Sequence, residues 1–437
     1  MSFRSFLATC LSLGLCLSNL GAQPLTRDAK ISVINHLSQS LLDNYVFADT
    51  ARLMKVALQK NLSAGLYDSI TNPAAFAQKL TRDLRSVYKD LHLGVRFDPQ
   101  QEKNLLDTSR VNEAADRARN LARQKAQNFG FNKVEILNGN IGYVRFDRFA
   151  SPNEEARATV GNVFGFLKNT TALIFDVRDN GGGDPEMVRY ICNYLFDKPT
   201  HINDLYERRK NSTQAFWTEQ VKGSETFSKL PVYVLTSDHT FSGAEEFAYD
   251  IKCQQRGEII GETTGGGAHP VQPQPITNGF VGFIPFARAI NPITKTNWEA
   301  VGVKPDLAVA SDKALDEAML ACYDKQLATT SDSNKIKPVQ WSRNILYAKI
   351  HPYYVDTVNL KSYVGKYGDG RFEYRDGGLY FTGRSGRVSR LVALSERTFK
   401  PQDIDYFKLE FKQDAAGKVI KVLFTFDDGY TELHMRE

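Results

Sequence analysis

Between positions 172 and 177 the chain reads Ala172-Leu173-Ile174-Phe175-Asp176-Val177, a run that is apolar on both alternating faces. A strand of that kind has no side to offer water, so it has to lie inside a sheet covered on both surfaces. Val232-Tyr233-Val234-Leu235-Thr236 has the same character, and Ile259-Ile260 is a shorter version of it. Helical patterns fall between them, over Ala156 to Leu167, near Pro185–Phe196 and from Gly243 to Cys253. Strands alternating with helices predict an α/β core with helix-covered sheets. Val134-Glu135-Ile136-Leu137 and Ile141 to Phe146 read as a hairpin leading into that core, turned by Asn138-Gly139-Asn140.

The flanks read differently. From Thr26 to Val87 apolar residues recur at helical spacing, with Ile31, Ile34, Leu37, Leu41 and Leu42 on one helix. Leu53, Val56, Ala57 and Leu62 mark the face of a second, and Phe76, Leu80 and Leu84 that of a third opened by Asn72-Pro73. Leu93-Gly94-Val95-Arg96-Phe97 then alternates as a strand. Past Tyr354, short aromatic strands punctuated by glycine (Tyr363, Tyr367, Phe372, Tyr374, then Leu409 to Phe411 and Val419 to Phe426) predict a small antiparallel β domain. The expected division is an N-terminal leader over 1–22, a helical domain over 23–98, a helical connector over 99–133, the core over 134–330, a linker over 331–354 and the β domain over 355–437.

Residues 1–22 have Arg4 near the start, an apolar stretch from Phe6 to Leu17 and small residues Gly21-Ala22 before Gln23-Pro24. That is the pattern of a secretory signal peptide, and the stretch is too short for a membrane span. A buried N-terminal helix is the competing reading. Cys10 and Cys16 lack the preceding small residues of a lipoprotein cleavage site, which argues against a lipid anchor. Without the leader, three scattered cysteines remain (Cys192, Cys253 and Cys322), neither a disulfide framework nor a zinc ligand set; one pair could bridge after export. The expected location is periplasmic or secreted. A net charge of +5 over 437 residues, with no dense Lys/Arg run, gives no nucleic-acid footprint.

Three segments carry chemistry, and each begins where a buried strand ends. The first is Asp176-Val177-Arg178-Asp179-Asn180-Gly181-Gly182-Gly183, a glycine loop whose amides can approach an anion or oxyanion closely. It lacks the lysine of a phosphate-cradling loop, which excludes nucleotide binding by that route. The second is Thr240-Phe241-Ser242-Gly243-Ala244-Glu245-Glu246 at a strand-to-helix junction. Ser242 is either a helix N-cap in a capping box with Glu245, or a nucleophile whose oxyanion the Gly243 amide would stabilise. The third is the turn Gly265-Gly266-Gly267-Ala268-His269-Pro270. A nucleophilic serine needs a base, and His92, His239 and His269 are the histidines nearest these motifs in character. None of them pairs with another at a metal-binding spacing.

Together with Asp90-Leu91-His92, Gly261-Glu262-Thr263-Thr264-Gly265-Gly266 and Glu299-Ala300-Val301-Gly302-Val303-Lys304-Pro305-Asp306, these segments resemble the tricorn and carboxy-terminal-processing serine peptidase family. The likeness is to the branch that includes the interphotoreceptor retinoid-binding protein repeats, and it covers roughly residues 27–310. It implies a mixed α/β (α+β) chain with a crotonase-like ββα-superhelix core behind a helical domain. It also implies an exported serine peptidase acting through an acyl-enzyme. Ser242 then matches the nucleophile, His92 the base and Glu299 the acidic support. The amides of Gly243 and Gly182 match the oxyanion donors, with Gly181 as the register alternative. No metal or other cofactor is implied; the partner is a peptide or protein substrate, with no nucleic acid and no membrane span, and the oligomeric state is left open. Processing relatives carry a PDZ domain, for which residues 100–133 are too short. Two other readings use the same cleft: a non-catalytic binding protein for an apolar small molecule or peptide, and an acyl-CoA enzyme of the crotonase type, which the serine and the leader do not fit.

Overall fold

A six-stranded sheet organises the middle of the chain, in the order Leu307–Ala308, Glu258–Gly261, Val232–Thr236, Ala172–Asp176, Ile141–Phe146, Phe131–Leu137. The structure is a computed structural model that describes residues 25–107, 111–221 and 227–437; the expected leader over 1–22 lies outside them. The two apolar runs are the central strands, buried at every position and paired in parallel, Ile174 opposite Tyr233. The hairpin forms as expected, with Val134 opposite Val144, and Gly139 and Asn140 take positive φ in its turn. A Cβ on Gly139 would stand 2.5 Å from the Tyr323 ring, so this turn has room only for glycine.

The chain divides into two compact units, Met1–Thr108 with Val271–Phe286, and Ser109–Pro270 with Ala287–Glu437. In the first, Thr26 caps helix Arg27–Asn44 and Asn72 caps Pro73–Val87, while Ala48–Ser63 between them starts after Phe47 with no side-chain cap. Their core includes Ile34, Leu37, Leu41, Phe76, Leu80 and Leu84. The second helix turns another face inward than its periodicity suggests: Ala51, Met54 and Leu58 are buried, whereas Leu53 and Val56 are each 61% exposed. The strand Gly94–Phe97 pairs with Phe280–Pro285, which pairs in turn with Val271–Thr277. A hairpin from far along the chain thus completes the helical unit, and Phe280 packs edge-on to Phe76 and Phe97.

In the second unit, Val111–Ala126 is a helix exposed along most of its length. The hairpin His201–Glu207 with Ser212–Trp217 adds to Ala287–Ile290 as a separate three-stranded sheet. The segment expected as a linker is instead a helix, Ser333–Ile350, with Pro338 in its first turns. The C-terminal strands form one eight-stranded antiparallel meander from Gly365–Tyr367 to Thr431–Met435, brought close to closure by a bridge between Tyr367 and Arg436. Its interior is aromatic, with Tyr363 stacked on Phe411 at 4.3 Å. Cys192, Cys253 and Cys322 are all free thiols. Among the described residues, no helix is long and apolar enough to cross a membrane.

Candidate active site

The strand Val232–Thr236 ends in a loop held down by its neighbours. Thr240 Oγ1 donates to the Val177 carbonyl at 2.8 Å, and the Phe241 amide to the Asn180 carbonyl at 3.0 Å. Ser242 follows at the head of helix Gly243–Cys253 with φ 55° and ψ −120°. The helix-capping residues Thr26 and Asn153 have the extended backbone usual at that position, φ −71° in each case, and their side chains accept a helix amide. Ser242 lacks that backbone, though it keeps a capping box with Glu245, whose Oε2 accepts the Ser242 amide at 2.8 Å. A non-glycine residue in this backbone region costs roughly 1–3 kcal/mol and persists only where its surroundings enforce it. Ser242 therefore heads the helix on a backbone that is itself held under strain.

Glu245 supplies that enforcement. Its carboxylate is fully buried and accepts from Ser242 N, from Gly267 N at 2.8 Å, from Gly266 N at 2.6 Å and from Thr264 Oγ1 at 2.5 Å. Burial raises its pKa, while the same donors pull in the opposite direction. One side chain thus ties the serine to the glycine turn of the third motif. The capping-box pattern in the sequence points to the first of these bonds and gives no sign of the other three.

The glycine loop packs against the serine from the other side. Burial by itself would raise the Asp176 pKa, but hydrogen bonds from Arg178 and Tyr143 bring it below the ordinary value. That bidentate pair, at 2.8 and 2.6 Å, fixes the base of the loop. The buried Asn180 side chain donates to the Phe146 carbonyl and accepts the Gly182 amide at 2.8 Å. The Gly181 amide donates to the Asp147 carbonyl at 3.2 Å. A Cβ on Gly182 would lie 2.7 Å from both Gly243 N and Ser242 Cβ, and one on Gly183 would lie 2.0 Å from the Phe149 carbonyl oxygen. Both residues have positive φ. Of the two amides expected to face an oxyanion, the one of Gly182 is thus occupied by Asn180. Among the described residues, the amides of Gly183 and Gly243 donate to no protein group, and Gly183 N lies 3.1 Å from where a Cβ on Gly243 would stand. A cavity of about 550 Å³ opens beside this loop, lined by Gly181, Gly182, Gly183, Arg148, Ser151 and Asp184 among others.

Glu299 belongs to the same unit. Its Oε2 accepts the Ala268 amide at 2.6 Å and lies 3.4 Å from His269 Nδ1. The neighbouring residues bind it to the glycine turn: Trp298 Nε1 donates to the Gly267 carbonyl at 2.8 Å, and the Ala300 amide to the Gly266 carbonyl at 3.0 Å. Ser242, through Glu245, and Glu299, through Ala268, are therefore tied to the same glycine turn, and Gly182 packs directly against Ser242 and Gly243. His92 lies in the first unit, on the turn between helix Pro73–Val87 and strand Gly94–Phe97. There the buried Asp90 accepts the His92 amide at 3.1 Å and the Tyr45 hydroxyl at 3.0 Å, and Arg85 donates to the carbonyls of Leu91 and Leu93. The turn that carries the histidine is thus rigid within its own unit.

The sequence model of peptidase family S41 matches residues 140–309, and that of the N-terminal domain of S41 peptidases in eukaryotic IRBP matches residues 24–129. Carboxyl-terminal-processing peptidase 2 of the Arabidopsis thaliana chloroplast is 27% identical over 188 residues, which are 40% of this chain and 33% of that protein. The match therefore spans about a third of the relative's length. A Parabacteroides merdae protein assigned as a peptidase superposes with a TM-score of 0.50 at 22% identity, over 69% of this chain and 99% of that one. That likeness is one of fold.

Proposed function

The chain belongs to peptidase family S41, and we infer from this membership and from the state of Ser242 that it is an exported serine peptidase cleaving peptide bonds through an acyl-enzyme. The observation that carries the reading is a serine on a strained backbone at the head of a buried helix, beside two amides that find no protein acceptor among the described residues.

The reaction runs as follows. The Ser242 hydroxyl oxygen attacks the scissile carbonyl carbon while the imidazole of His92 takes its proton. The carbonyl oxygen becomes an oxyanion, and the amides of Gly243 and Gly183 donate to it; Gly183 takes the part for which Gly182 or Gly181 is expected, since those amides already serve Asn180 and Asp147. Collapse breaks the carbon–nitrogen bond, and His92 returns the proton to the leaving amine. Water then repeats the sequence on the ester and frees Ser242. Glu299 supports the serine–histidine pair.

Hydrolysis of fluorescein-labelled casein by the full chain tests this. Ser242→Ala and His92→Ala should each lose about 10⁴-fold or more in kcat, and the double variant little further, because such residues act as a unit. Undiminished turnover by Ser242→Ala would overturn the reading.

A further inference from the structure

We propose that the C-terminal β domain carries a peptide-binding cleft of its own, which takes an extended acidic segment along the edge of the strand Gly370–Arg375. Ser242 and the glycine loops play no part in it.

The backbone leaves that edge bare. Asp376 and Gly377, both at positive φ, join Gly370–Arg375 to Gly378–Thr382 through a two-residue turn, so Arg375 and Gly378 exchange hydrogen bonds. Alternation along an antiparallel ladder then turns the Tyr374 N–H and C=O to the other side of the strand. On that side the strand Gly365–Tyr367 stops short, with Gly365 opposite Phe372 as its last pair. Val364, which would extend it, has both backbone groups engaged elsewhere. Its amide donates to the Lys361 carbonyl at 3.3 Å, and its carbonyl accepts Arg436 Nη2 at 2.6 Å. Among the described residues nothing meets the Tyr374 amide or carbonyl. A bare N–H and C=O on a strand edge are a template for an added strand.

The charges around the edge say what the strand carries. A cleft of about 760 Å³ opens over it, lined by Lys361, Lys366, Arg371 and Arg375 against one carboxylate, Glu373. Lys366 stands directly opposite Arg371 in the register, a like-charge placement that destabilises a hairpin unless it is compensated. Each of these two has a carboxylate: Glu437 lies 2.7 Å from Lys366 Nζ, and Glu373 lies 2.9 Å from Arg371 Nε. Lys361 and Arg375 are exposed and meet no carboxylate among the described residues. Their charges rest instead over the rings of Tyr374, at 5.4 Å, and Tyr380, at 4.1 Å. The cleft is therefore left with surplus positive charge. A strand added here sends alternate side chains to opposite faces. The residue paired with Tyr374 shares its face, and the residues on either side of it share the face of Arg371 and Arg375. Carboxylates at those flanking positions complement the surplus. A phosphate backbone offers acceptors alone, whereas Tyr374 presents a donor and an acceptor together, which a peptide matches.

The test is equilibrium binding, read by fluorescence anisotropy on the full chain carrying Ser242→Ala, so that the outcome is independent of any cleavage. The probe is a fluorescein-labelled peptide of alternating Glu and Val. It should bind, and its Gln-Val counterpart should bind about 10-fold more weakly or worse. N-methylation of the Val residues, which removes the amide that Tyr374 C=O accepts, should cost about 5-fold or more. N-methylation of the Glu residues, whose amides point away from the edge, should cost less than about 3-fold. Adding Lys361→Glu and Arg375→Glu together should weaken the Glu-Val peptide by about 10-fold or more, because two attractions become repulsions. If circular dichroism shows that this variant does not fold, Lys361→Gln with Arg375→Gln replaces it, with a loss of about 3-fold or more expected. No binding of the Glu-Val peptide, equal binding of the Gln-Val peptide, or equal losses for the two methylation patterns would each overturn the proposal. So would undiminished binding by the folded double variant, or tighter binding of a single-stranded oligonucleotide of the same charge.

Discussion

The amide of Ser242 donates to Glu245 Oε2 at 2.8 Å, and the same buried carboxylate takes three further donors from Thr264, Gly266 and Gly267. The backbone of the serine is therefore held by a residue one helical turn on, through a group that also fixes the glycine turn. Removing it as Glu245→Ala strands four donors at once, three of them buried. The expected result is a stability loss of about 3 kcal/mol or more, measured by urea unfolding, together with loss of casein hydrolysis. An active, equally stable variant would mean that the serine holds its conformation by other means.

Strain at Ser242 has its own signature. Glycine is at ease at φ 55° and ψ −120°, and alanine is not. Both Ser242→Gly and Ser242→Ala should be inactive, yet the glycine variant should be the more stable by about 1 kcal/mol. This reverses the usual order at a helix start, and thermal unfolding of the two proteins decides it. Equal stability, or a more stable alanine variant, would contradict a strained serine.

The three glycines should respond unequally to alanine. Gly181 has open space where its Cβ would stand, so Gly181→Ala should fold and stay active. Gly182→Ala pushes directly on Gly243 N and Ser242 Cβ, each 2.7 Å away, and should lose about 10²–10³ in kcat by displacing an oxyanion donor. Gly183→Ala meets the Phe149 carbonyl oxygen at 2.0 Å and should be the least stable of the three. Melting temperature and casein turnover for each variant check the order.

A pH effect on stability is expected behind the serine, on the same helix. Burial pushes Glu246 up to about 7, with Asp184 and Glu186 adding to the shift and Asn203 at 3.0 Å opposing it. Asp250 is also raised, by burial and then by Glu246. A raised carboxyl binds its proton more tightly in the folded than in the unfolded chain, so stability falls as pH rises. For Glu246 the window runs from the ordinary value of 4.5 to about 7, and the loss is on the order of 2–3 kcal/mol. Glu246→Gln should flatten the dependence of urea-unfolding stability on pH between those values. An unchanged slope would place the titrating group elsewhere.

Sequence and structure agree where a local rule suffices. Ala172–Asp176 and Val232–Thr236 are legible because only buried parallel strands are apolar throughout, and the Asn138-Gly139-Asn140 turn because two of its residues need positive φ. Val271–Thr277 escapes notice because Pro273 and Pro275 interrupt it; an edge strand tolerates them, since half of its amides face no partner. The second helix is misphased because Leu53 and Val56 are as apolar as the residues actually buried, and only the neighbouring helices decide which stripe is covered. Within the glycine loop, sequence narrows the expected oxyanion donors to three residues. Which amide is open depends on the Asn180 side chain and on the bridge between Phe149 and Gly183, both of which come from tertiary structure. Glu245 is visible as a cap, and its link to Gly266 and Gly267 is long-range.

Active-site labelling tests most directly whether Ser242 is a nucleophile. The full chain is treated with a fluorophosphonate at pH 8, digested, and the adduct located by mass spectrometry. One adduct is expected, on the Ser242 hydroxyl, which disappears in Ser242→Ala and is strongly reduced in His92→Ala. Equal labelling of wild type and Ser242→Ala, or no labelling of the folded wild type, would contradict it.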